Sequence, residues 1–340
     1  MNTKTLPKIT VVLPIRNEEQ FIAQTLAYVL TQDYPKELVE VLVVDGESDD
    51  RTAAIVSEIA GSDARVRLLS NPRRLSSAAR SLGAKAATGD IVTFIDGHTY
   101  IDNNQLLKST ARLMQEKEVD VLSRPQFLDT PENTFFQKAV SLARKSVLGH
   151  GLDSTIYTDK DLYVDPSSSG ASYRRDVFNE VGFFDERFDA CEDVEFNYRV
   201  HKSGRKSFTS LALAVYYYPR NSLGRLFKQM ARYGAGRLRL ARKHPATLSP
   251  TTLLPVFFLL GLIVLPLLSL VWPIFWWLFA GGYGLYFLLA LMSAVGIAAR
   301  EGFAFLFPVL VILPTILLGL GWGFIAELAR TLTGRAVHFD

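Results

Sequence analysis

Polar side chains that could act on a substrate follow three short apolar runs of this sequence, at the point where each run ends. They are Pro14, Arg16 and Glu18 after the first run, Asp45 after the second, and Asp96 and His98 after the third. Carboxylates repel a bare diphosphate, and hard divalent cations take oxygen ligands of this kind. The pattern therefore predicts a site where a divalent metal ion holds a phosphate-containing ligand.

Alternating strand and helix patterns would bring these side chains to one edge of a sheet. The predicted strands are 9–13, 39–44, 66–69 and 91–95, and the predicted helices between them cover 21–30, 53–59 and 76–87. Repeated strand–helix–strand units are typical of an α/β protein with a parallel, doubly wound sheet, which binds ligands at the carboxyl ends of its strands. No G-x-G-x-x-G or G-x-x-x-x-G-K-[ST] segment follows a predicted strand, so a dinucleotide-dependent dehydrogenase and a P-loop ATPase are poorly supported.

Charge is distributed unevenly along the 340 residues. Residues 1–195 carry 31 acidic and 22 basic side chains, residues 196–250 carry 12 basic and no acidic ones, and residues 251–299 carry no charge. A helix that spans a bilayer needs about 20 apolar residues. The segments long enough to do so are about 252–271, 274–298 and 303–326. With 49% hydrophobic residues and one cysteine, the chain is neither disordered nor a disulfide scaffold. The uncharged, apolar stretch 251–299 argues against a fully soluble protein.

The segment 220–250 alternates basic and apolar residues directly before the first predicted span. This pattern is typical of an amphipathic helix in the headgroup layer, and we expect anionic membrane lipid, not nucleic acid, as its partner. The chain then divides into an α/β domain (1–219), this interface segment and a membrane domain (251–340). Basic residues favour the cytoplasmic side of a membrane, and residues 1–8 lack a signal-peptide pattern. We expect a multi-pass protein of the cell inner membrane with its α/β domain in the cytoplasm; whether the third segment spans or re-enters stays open.

Four motifs in this order resemble glycosyltransferase family 2, whose inverting enzymes have the GT-A fold. The matching segments are 11–19 (VVLPIRNEE), 43–52 (VVDGESDDRT), 93–98 (TFIDGH) and 182–193 (GFFDERFDACED). The ending narrows the resemblance to the succinoglycan-biosynthesis type of bacterial exopolysaccharide glucosyltransferase. That narrower match rests on 218–222 (YPRNS), 229–234 (QMARYG) and His244-Pro245. The resemblance implies a GT-A domain followed by membrane helices.

The family motifs imply roles for particular residues of this chain. Asp193 matches the family's general base, which takes a proton from the acceptor hydroxyl, and Glu192 precedes it on the acceptor side. Asp45 matches the residue that contacts the nucleotide base. The other residues implied in donor binding are Pro14, Arg16, Glu18, Arg80 and Asp96.

Two departures from the family pattern leave alternatives open. His98 stands where the family has the second Asp of its Asp-x-Asp metal motif. Imidazole is a softer ligand that suits Mn²⁺ more than Mg²⁺, and the cofactor is one of these two metals. Either Asp96 and His98 both bind the metal, or Asp96 alone binds it and His98 supports the site or contacts the acceptor. Gln229 and Arg232 resemble part of the Gln-x-x-Arg-Trp motif of processive synthases, with Tyr233 in place of Trp. They either contact the acceptor or belong to a basic helix face on lipid.

The resemblance and the charge pattern together predict a membrane-anchored, inverting glycosyltransferase. Its partners would be a nucleotide-sugar donor, most simply a UDP-sugar, and a saccharide acceptor linked to polyprenyl diphosphate. It would add one sugar in surface polysaccharide biosynthesis. Two alternatives are a processive polysaccharide synthase and a non-catalytic membrane protein that binds nucleotide-sugars.

Overall fold

The computed structural model describes residues 6–150, 156–167 and 169–339. The chain forms two compact units, each described here by itself. The first unit comprises Met1–Thr130 and Ser154–Tyr218, and the second comprises Pro131–Asp153 and Pro219–Asp340. The described part of the first segment of this unit, 131–150, thus packs with the C-terminal helices.

Strands and helices are numbered along the chain. The strands are β1 (Ile9–Ile15), β2 (Val39–Asp45), β3 (Val66–Ser70), β4 (Ile91–Phe94), β5 (Thr99–Tyr100), β6 (Val121–Ser123), β7 (Gln126–Phe127), β8 (Leu162–Val164), β9 (Gly170–Arg174), β10 (Ser207–Thr209) and β11 (Val215–Tyr217). The helices are α1 (Ile22–Leu30), α2 (Thr52–Ser62), α3 (Ser76–Ala86), α4 (Leu106–Glu116), α5 (Phe135–Lys145), α6 (Val147–His150), α7 (Arg175–Val181), α8 (Glu192–Lys202), α9 (Leu223–Lys243), α10 (Pro250–Ser269), α11 (Ile274–Glu301) and α12 (Leu306–Leu332).

The first unit is built on a mixed sheet in the order β3-β2-β1-β4-β9-β6-β10-β8. The strands from β1 to β4 are parallel, as the alternating pattern predicts. The sheet is not parallel throughout, because β9 is inserted antiparallel between β4 and β6 and β8 runs antiparallel to β10. A smaller sheet has the order β5-β11-β7.

Both faces of the central sheet are covered, which explains the unbroken apolar runs of β1 and β2. Val11 of β1 belongs to the core on one face, with Leu26 of α1 and Val56 of α2. Val12 belongs to the core on the other face, with Ala79 of α3. Neighbouring residues of one strand thus point to opposite sides.

Helix α3 lies unusually close to β1 because its residues are small. A Cβ atom at Gly83 would overlap the side chain of Val12, so no residue larger than glycine fits there without movement. Ser77, Ala78, Ala79 and Ser81 are also buried. This close approach brings the long side chain of Arg80 to the carboxyl ends of the strands.

In the second unit, three helices are long and apolar enough to cross a membrane. They are Pro250–Ser269, Ile274–Glu301 and Phe303–Leu332, close to the predicted segments. Large apolar side chains such as Trp277, Phe287 and Phe307 are exposed on them. Such surfaces are typical of helices that contact lipid.

Helix α9 packs along α12 with its backbone in close contact. A Cβ atom at Gly323 of α12 would overlap the backbone carbonyl of Ala231, and one at Gly234 of α9 would overlap that of Leu320. Small residues at such positions let apolar helices approach closely. The apolar side of the basic segment is therefore covered by protein in this structure.

A buried ion pair also joins α9 to α12. The Arg239 guanidinium donates to both carboxylate oxygens of Glu327, at 2.8 and 3.0 Å. Both side chains are buried. Removal of one partner would leave a buried charge uncompensated, so the pair fixes which residues of the two helices meet.

We predict that Gly323→Ala destabilises the helical unit by about 1–3 kcal/mol, the usual cost of overpacking a close contact. The matched control is Gly296→Ala on α11, where a new Cβ atom has no neighbour within 4 Å. Thermal unfolding of the full chain in detergent should show a midpoint below that of wild type for Gly323→Ala and no such decrease for Gly296→Ala. Equal midpoints for both would contradict the tight α9–α12 contact.

Candidate active site

The loops that follow β1 and β2 are tied to each other. The Asn17 side-chain oxygen accepts from the Asp49 backbone N–H at 2.9 Å, and the Asn17 N–H donates to Ser48 Oγ at 2.9 Å. The Glu18 N–H donates to Thr52 Oγ1 at 2.8 Å. Asn17 has a φ of 56°, a left-handed conformation that asparagine tolerates better than most residues. Two strand ends thus form one continuous edge.

Asp45 is the last residue of β2 and is held by its own turn. Its carboxylate accepts from Ser48 Oγ at 2.5 Å and from the Ser48 N–H at 3.1 Å. Pro14 lies in β1, beyond the point where the ladder to β4 ends at Val12. The Arg16 side chain is 40% exposed, and its guanidinium lies 3.7 Å from Asp49. This edge offers a fixed carboxylate and a movable cation.

Arg80 is a largely enclosed cation, with its side chain 14% exposed, that lies between two carboxylates. Its Nη2 donates to Asp96 Oδ1 at 2.8 Å, and its Nε lies 3.5 Å from Glu192 Oε1. Its guanidinium also lies over the Phe94 ring, 5.3 Å from the centroid. Burial opposes the charge, but the carboxylates, above all Asp96, hold the pKa of Arg80 above its ordinary value. The side chain therefore links the end of β4 to the start of α8.

The start of α8 carries Glu192 and Asp193. Glu192 is buried and Asp193 is partly exposed, with its carboxylate accepting from the Val194 N–H at 2.9 Å. Burial, together with the Asp193 carboxylate, raises the pKa of Glu192 despite the neighbouring Arg80. The preceding Cys191 has a φ of 62°, in the left-handed region where a residue with a Cβ atom is strained. The turn at Cys191 therefore sets where α8 begins, and with it the positions of Glu192 and Asp193.

Helix α3 also positions the segment that leads to this pair. Ser77 Oγ donates to the Phe188 carbonyl at 2.6 Å, and Ser81 Oγ donates to the Phe184 carbonyl at 2.9 Å. Both hydroxyls are on the helix that carries Arg80. A single helix thus fixes Arg80 and the segment 184–188.

His98 is oriented by Glu18. Its Nδ1 lies 2.8 Å from Glu18 Oε1, and the rings of Phe21 and Tyr217 meet it at centroid distances of 6.4 and 6.2 Å. Glycine is required between Asp96 and His98, because a Cβ atom at Gly97 would lie 2.8 Å from Ile15 Cγ2. Within the described residues, no three His, Cys, Asp or Glu side chains cluster as a metal site.

The structure brings most of the predicted residues to one edge of the first unit. The ion pairs and loop contacts above connect Glu18 with His98, and Arg80 with Asp96 and Glu192. Gln229 and Arg232 lie on α9, in the second unit, where Gln229 Nε2 donates to the Tyr233 hydroxyl at 3.2 Å.

Sequence reasoning missed Arg124 and Tyr217 at this edge. Arg124 is buried just after β6 and donates to the Phe94 carbonyl and to Thr93 Oγ1, each at 2.7 Å. Tyr217, at the end of β11, has a raised pKa because of burial and the Asp96 carboxylate. Arg124 directly follows an apolar run, and this could have indicated a residue at a strand end. The strand β6 has only three residues, however, and was not predicted from sequence.

The mixed sheet and its acidic edge define a transferase domain of the GT-A type. The model of the family described as "Glycosyl transferase family 2" matches residues 10–182. The chain belongs to glycosyltransferase family 2 and is an enzyme of that family. The resemblance stated from the motifs is thereby confirmed.

Individual relatives agree with this assignment. The chain is 32% identical to the succinoglycan biosynthesis protein ExoA of Rhizobium meliloti (strain 1021), over 72% of this chain and 74% of that one. It is 26% identical to the dolichyl N-acetyl-alpha-D-glucosaminyl phosphate 3-beta-D-2,3-diacetamido-2,3-dideoxy-beta-D-glucuronosyltransferase of Methanococcus voltae, over 69% and 74%.

A solved structure has the same fold. The mannosyltransferase PcManGT from Pyrobaculum calidifontis, in complex with GDP-Man and Mn²⁺, aligns with a TM-score of 0.60 at 19% identity. The alignment covers 96% of this chain and 88% of that one. At this identity the likeness shows the fold alone.

We predict that Glu192→Gln makes the protein less sensitive to rising pH. The folded state holds the Glu192 proton more tightly than the unfolded chain, so this residue costs stability as the pH rises from 4.5 through the raised pKa. Unfolding midpoints at several pH values should therefore fall more for wild type than for the variant. Glu58→Gln, on the exposed side of α2, is the matched control and should follow wild type. Parallel curves for Glu192→Gln and wild type would contradict the raised pKa.

Proposed function

We propose that this chain is a membrane-anchored, inverting glycosyltransferase that moves one sugar from a nucleoside-diphosphate sugar to a lipid-linked saccharide. The observation that carries the proposal is the position of Arg80, which connects Asp96 with Glu192, next to Asp193. A donor-side carboxylate and an acceptor-side acidic pair are thereby held on one edge. Membership of family 2 supplies the reaction class.

The donor would lie along the edge formed by the β1 and β2 loops. Asp45, fixed by Ser48, would accept hydrogen bonds from the nucleotide base, and Pro14 would contact it. Arg16 is exposed enough to move toward phosphate. A UDP-sugar is the first donor to test, and GDP-mannose is the comparison because the solved structure of the same fold contains it.

Asp96 and His98 would hold the divalent cation, for which Mn²⁺ is the better candidate and Mg²⁺ the alternative. A carboxylate and an imidazole suit Mn²⁺, and a ligating histidine is usually oriented by a carboxylate, as Glu18 orients His98 here. A bound cation would act as a Lewis acid on the leaving diphosphate. Asp96 Oδ1 accepts a hydrogen bond from Arg80, so Arg80 holds this carboxylate in place.

Asp193 would take the proton from the acceptor hydroxyl as that oxygen attacks the anomeric carbon. The new bond from oxygen to carbon forms as the bond from carbon to the diphosphate breaks, with inversion. Asp193 suits this role because it is partly exposed, whereas Glu192 is buried. Glu192 would position the base through Arg80 and the first turn of α8.

The acceptor would be linked to polyprenyl diphosphate in the bilayer. Three apolar helices support attachment to a membrane, and the name of the Methanococcus relative includes a dolichyl phosphate-linked sugar. Arg225, Lys228, Arg232 and Arg237 are exposed on α9 and would contact anionic lipid, with Gln229 and Arg232 on the acceptor side. Residues 1–219 would form the catalytic domain, 220–250 the interface and 251–340 the membrane anchor. The anchor would lie in the inner membrane, with the catalytic domain in the cytoplasm. The name of the Rhizobium relative supports a role in surface polysaccharide biosynthesis.

We predict that Asp193→Asn lowers sugar transfer by about 10²–10⁴-fold, because a general base contributes that much. Release of nucleoside diphosphate and labelled lipid product would be measured with UDP-sugars and GDP-mannose, Mn²⁺ and membrane lipid extract. Calorimetry with UDP and GDP should give unchanged binding, because the base acts on the acceptor.

Asp176→Asn is the matched control, since Asp176 also lies in the first turn of a helix but is 60% exposed and paired with Arg205. It should keep full transfer. Equal loss of binding and transfer in Asp193→Asn would contradict its role as the base. Products longer than one added sugar would instead indicate a processive synthase.

A further inference from the structure

Arg124 is a buried cation with no carboxylate of its own. Its side chain is 2% exposed, and its hydrogen bonds go to neutral groups: the Phe94 carbonyl, Thr93 Oγ1 and, at 3.4 Å, Ser172 Oγ. In the part of the chain that the structure describes, no acidic side chain forms an ion pair with it, and its buried Nε has no hydrogen-bond partner. This is an expensive arrangement, because a buried charge without a partner loses its hydration.

The position of Arg124 suggests what compensates this cost. It binds the carbonyl of Phe94, two residues before Asp96, so it lies behind the loop that carries Asp96 and His98. Burial lowers the pKa of Arg124, while Tyr217 and Asp96 favour its charged form. Arg80, the arginine that lies nearest to Asp96, already faces two carboxylates. Arg124 is therefore a buried cation at this edge whose charge no neighbouring carboxylate pairs with among the described residues, in contrast to the exposed Arg16 beside Asp49.

We propose that Arg124 supplies a fixed positive charge behind the Asp96 loop that favours the diphosphate of the donor without contacting it. This rests on the proposed function, which places a nucleoside diphosphate at this edge. Arg124 is thus a positioning residue: it holds the end of β4 through Phe94 and Thr93, and its charge acts through the protein interior.

An effect of charge can be separated from an effect on shape by varying the charge of the ligand. Calorimetry with uridine, UMP and UDP, each with Mn²⁺, would compare wild type with R124Q and R124K. A unit charge at about 10 Å, with an effective dielectric constant of about 20, changes affinity by about tenfold. We expect R124Q to bind UDP about tenfold more weakly, UMP less so, and uridine as wild type does. R124K carries the charge when its amine is protonated, and burial lowers the pKa of a lysine. Its ratio of UDP affinity to uridine affinity, measured at pH 6, should therefore stay within about threefold of wild type.

Arg174→Gln is the matched control. Like Arg124, Arg174 donates to neutral groups, in its case the backbone carbonyls of Val119 and Met114. Its backbone pairs with the first residue of β4, at the opposite end of that strand. Its variant should bind all three ligands as wild type does. The guanosine series replaces the uridine series if wild type prefers GDP.

Three results would overturn the inference. One is equal weakening of all three ligands in R124Q, which would mean a structural role only. Another is unchanged UDP binding in R124Q. The third is a loss of UDP affinity relative to uridine in R124K that reaches the tenfold expected for an uncharged side chain at this position. The last comparison stands even if R124Q does not fold. Failure of wild type to bind either nucleoside diphosphate would instead contradict the proposed function.

Discussion

The candidate active site depends on one largely enclosed cation placed between carboxylates that would otherwise repel each other. Arg80 reaches Asp96 at the end of β4 and Glu192 at the start of α8 from a helix packed directly on β1. Asp193 adds a further negative charge beside Glu192. Without Arg80, these carboxylates would be partly desolvated at close range, where like charges interact strongly. Small residues in α3 are therefore as important as the acids themselves.

The positions of the donor-side residues could be predicted because parallel strands end at one edge. The runs before Pro14, Asp45 and Asp96 are apolar and short, so strand ends could be read from sequence, and the family motifs implied roles for these residues. The partners of these side chains could not be predicted. The contact of His98 with Glu18 joins residues 80 positions apart, and Arg124 follows a strand of three residues in a sheet that β9 enters antiparallel. Local patterns carry no information about such pairings.

In the second unit, too, the helices could be predicted from sequence but their contacts could not. Length and hydropathy were sufficient to predict three apolar helices within a few residues of their ends. The pattern of α9 indicated an amphipathic helix, but it could not show that α12 would cover the apolar side. That contact depends on Gly234 and Gly323 meeting backbone, and on the pairing of Arg239 with Glu327, which are separated by 88 positions. Glycine and a single acid in an apolar helix have no distinctive period.

The most direct test of the central claim is a double-mutant cycle on the two carboxylates that Arg80 connects. The free energy of unfolding would be measured at neutral pH for Asp96→Asn, Glu192→Gln and the double variant, in wild-type and Arg80→Met backgrounds. Either single variant leaves Arg80 one of these partners, whereas the double variant removes both. We predict that the double variant is at least about 1 kcal/mol less stable than the sum of the two single effects gives, whatever the sign of the Glu192→Gln effect alone, and that Arg80→Met abolishes this difference. Losses that add within about 0.3 kcal/mol in the wild-type background would contradict the claim that Arg80 joins the two sides of the site.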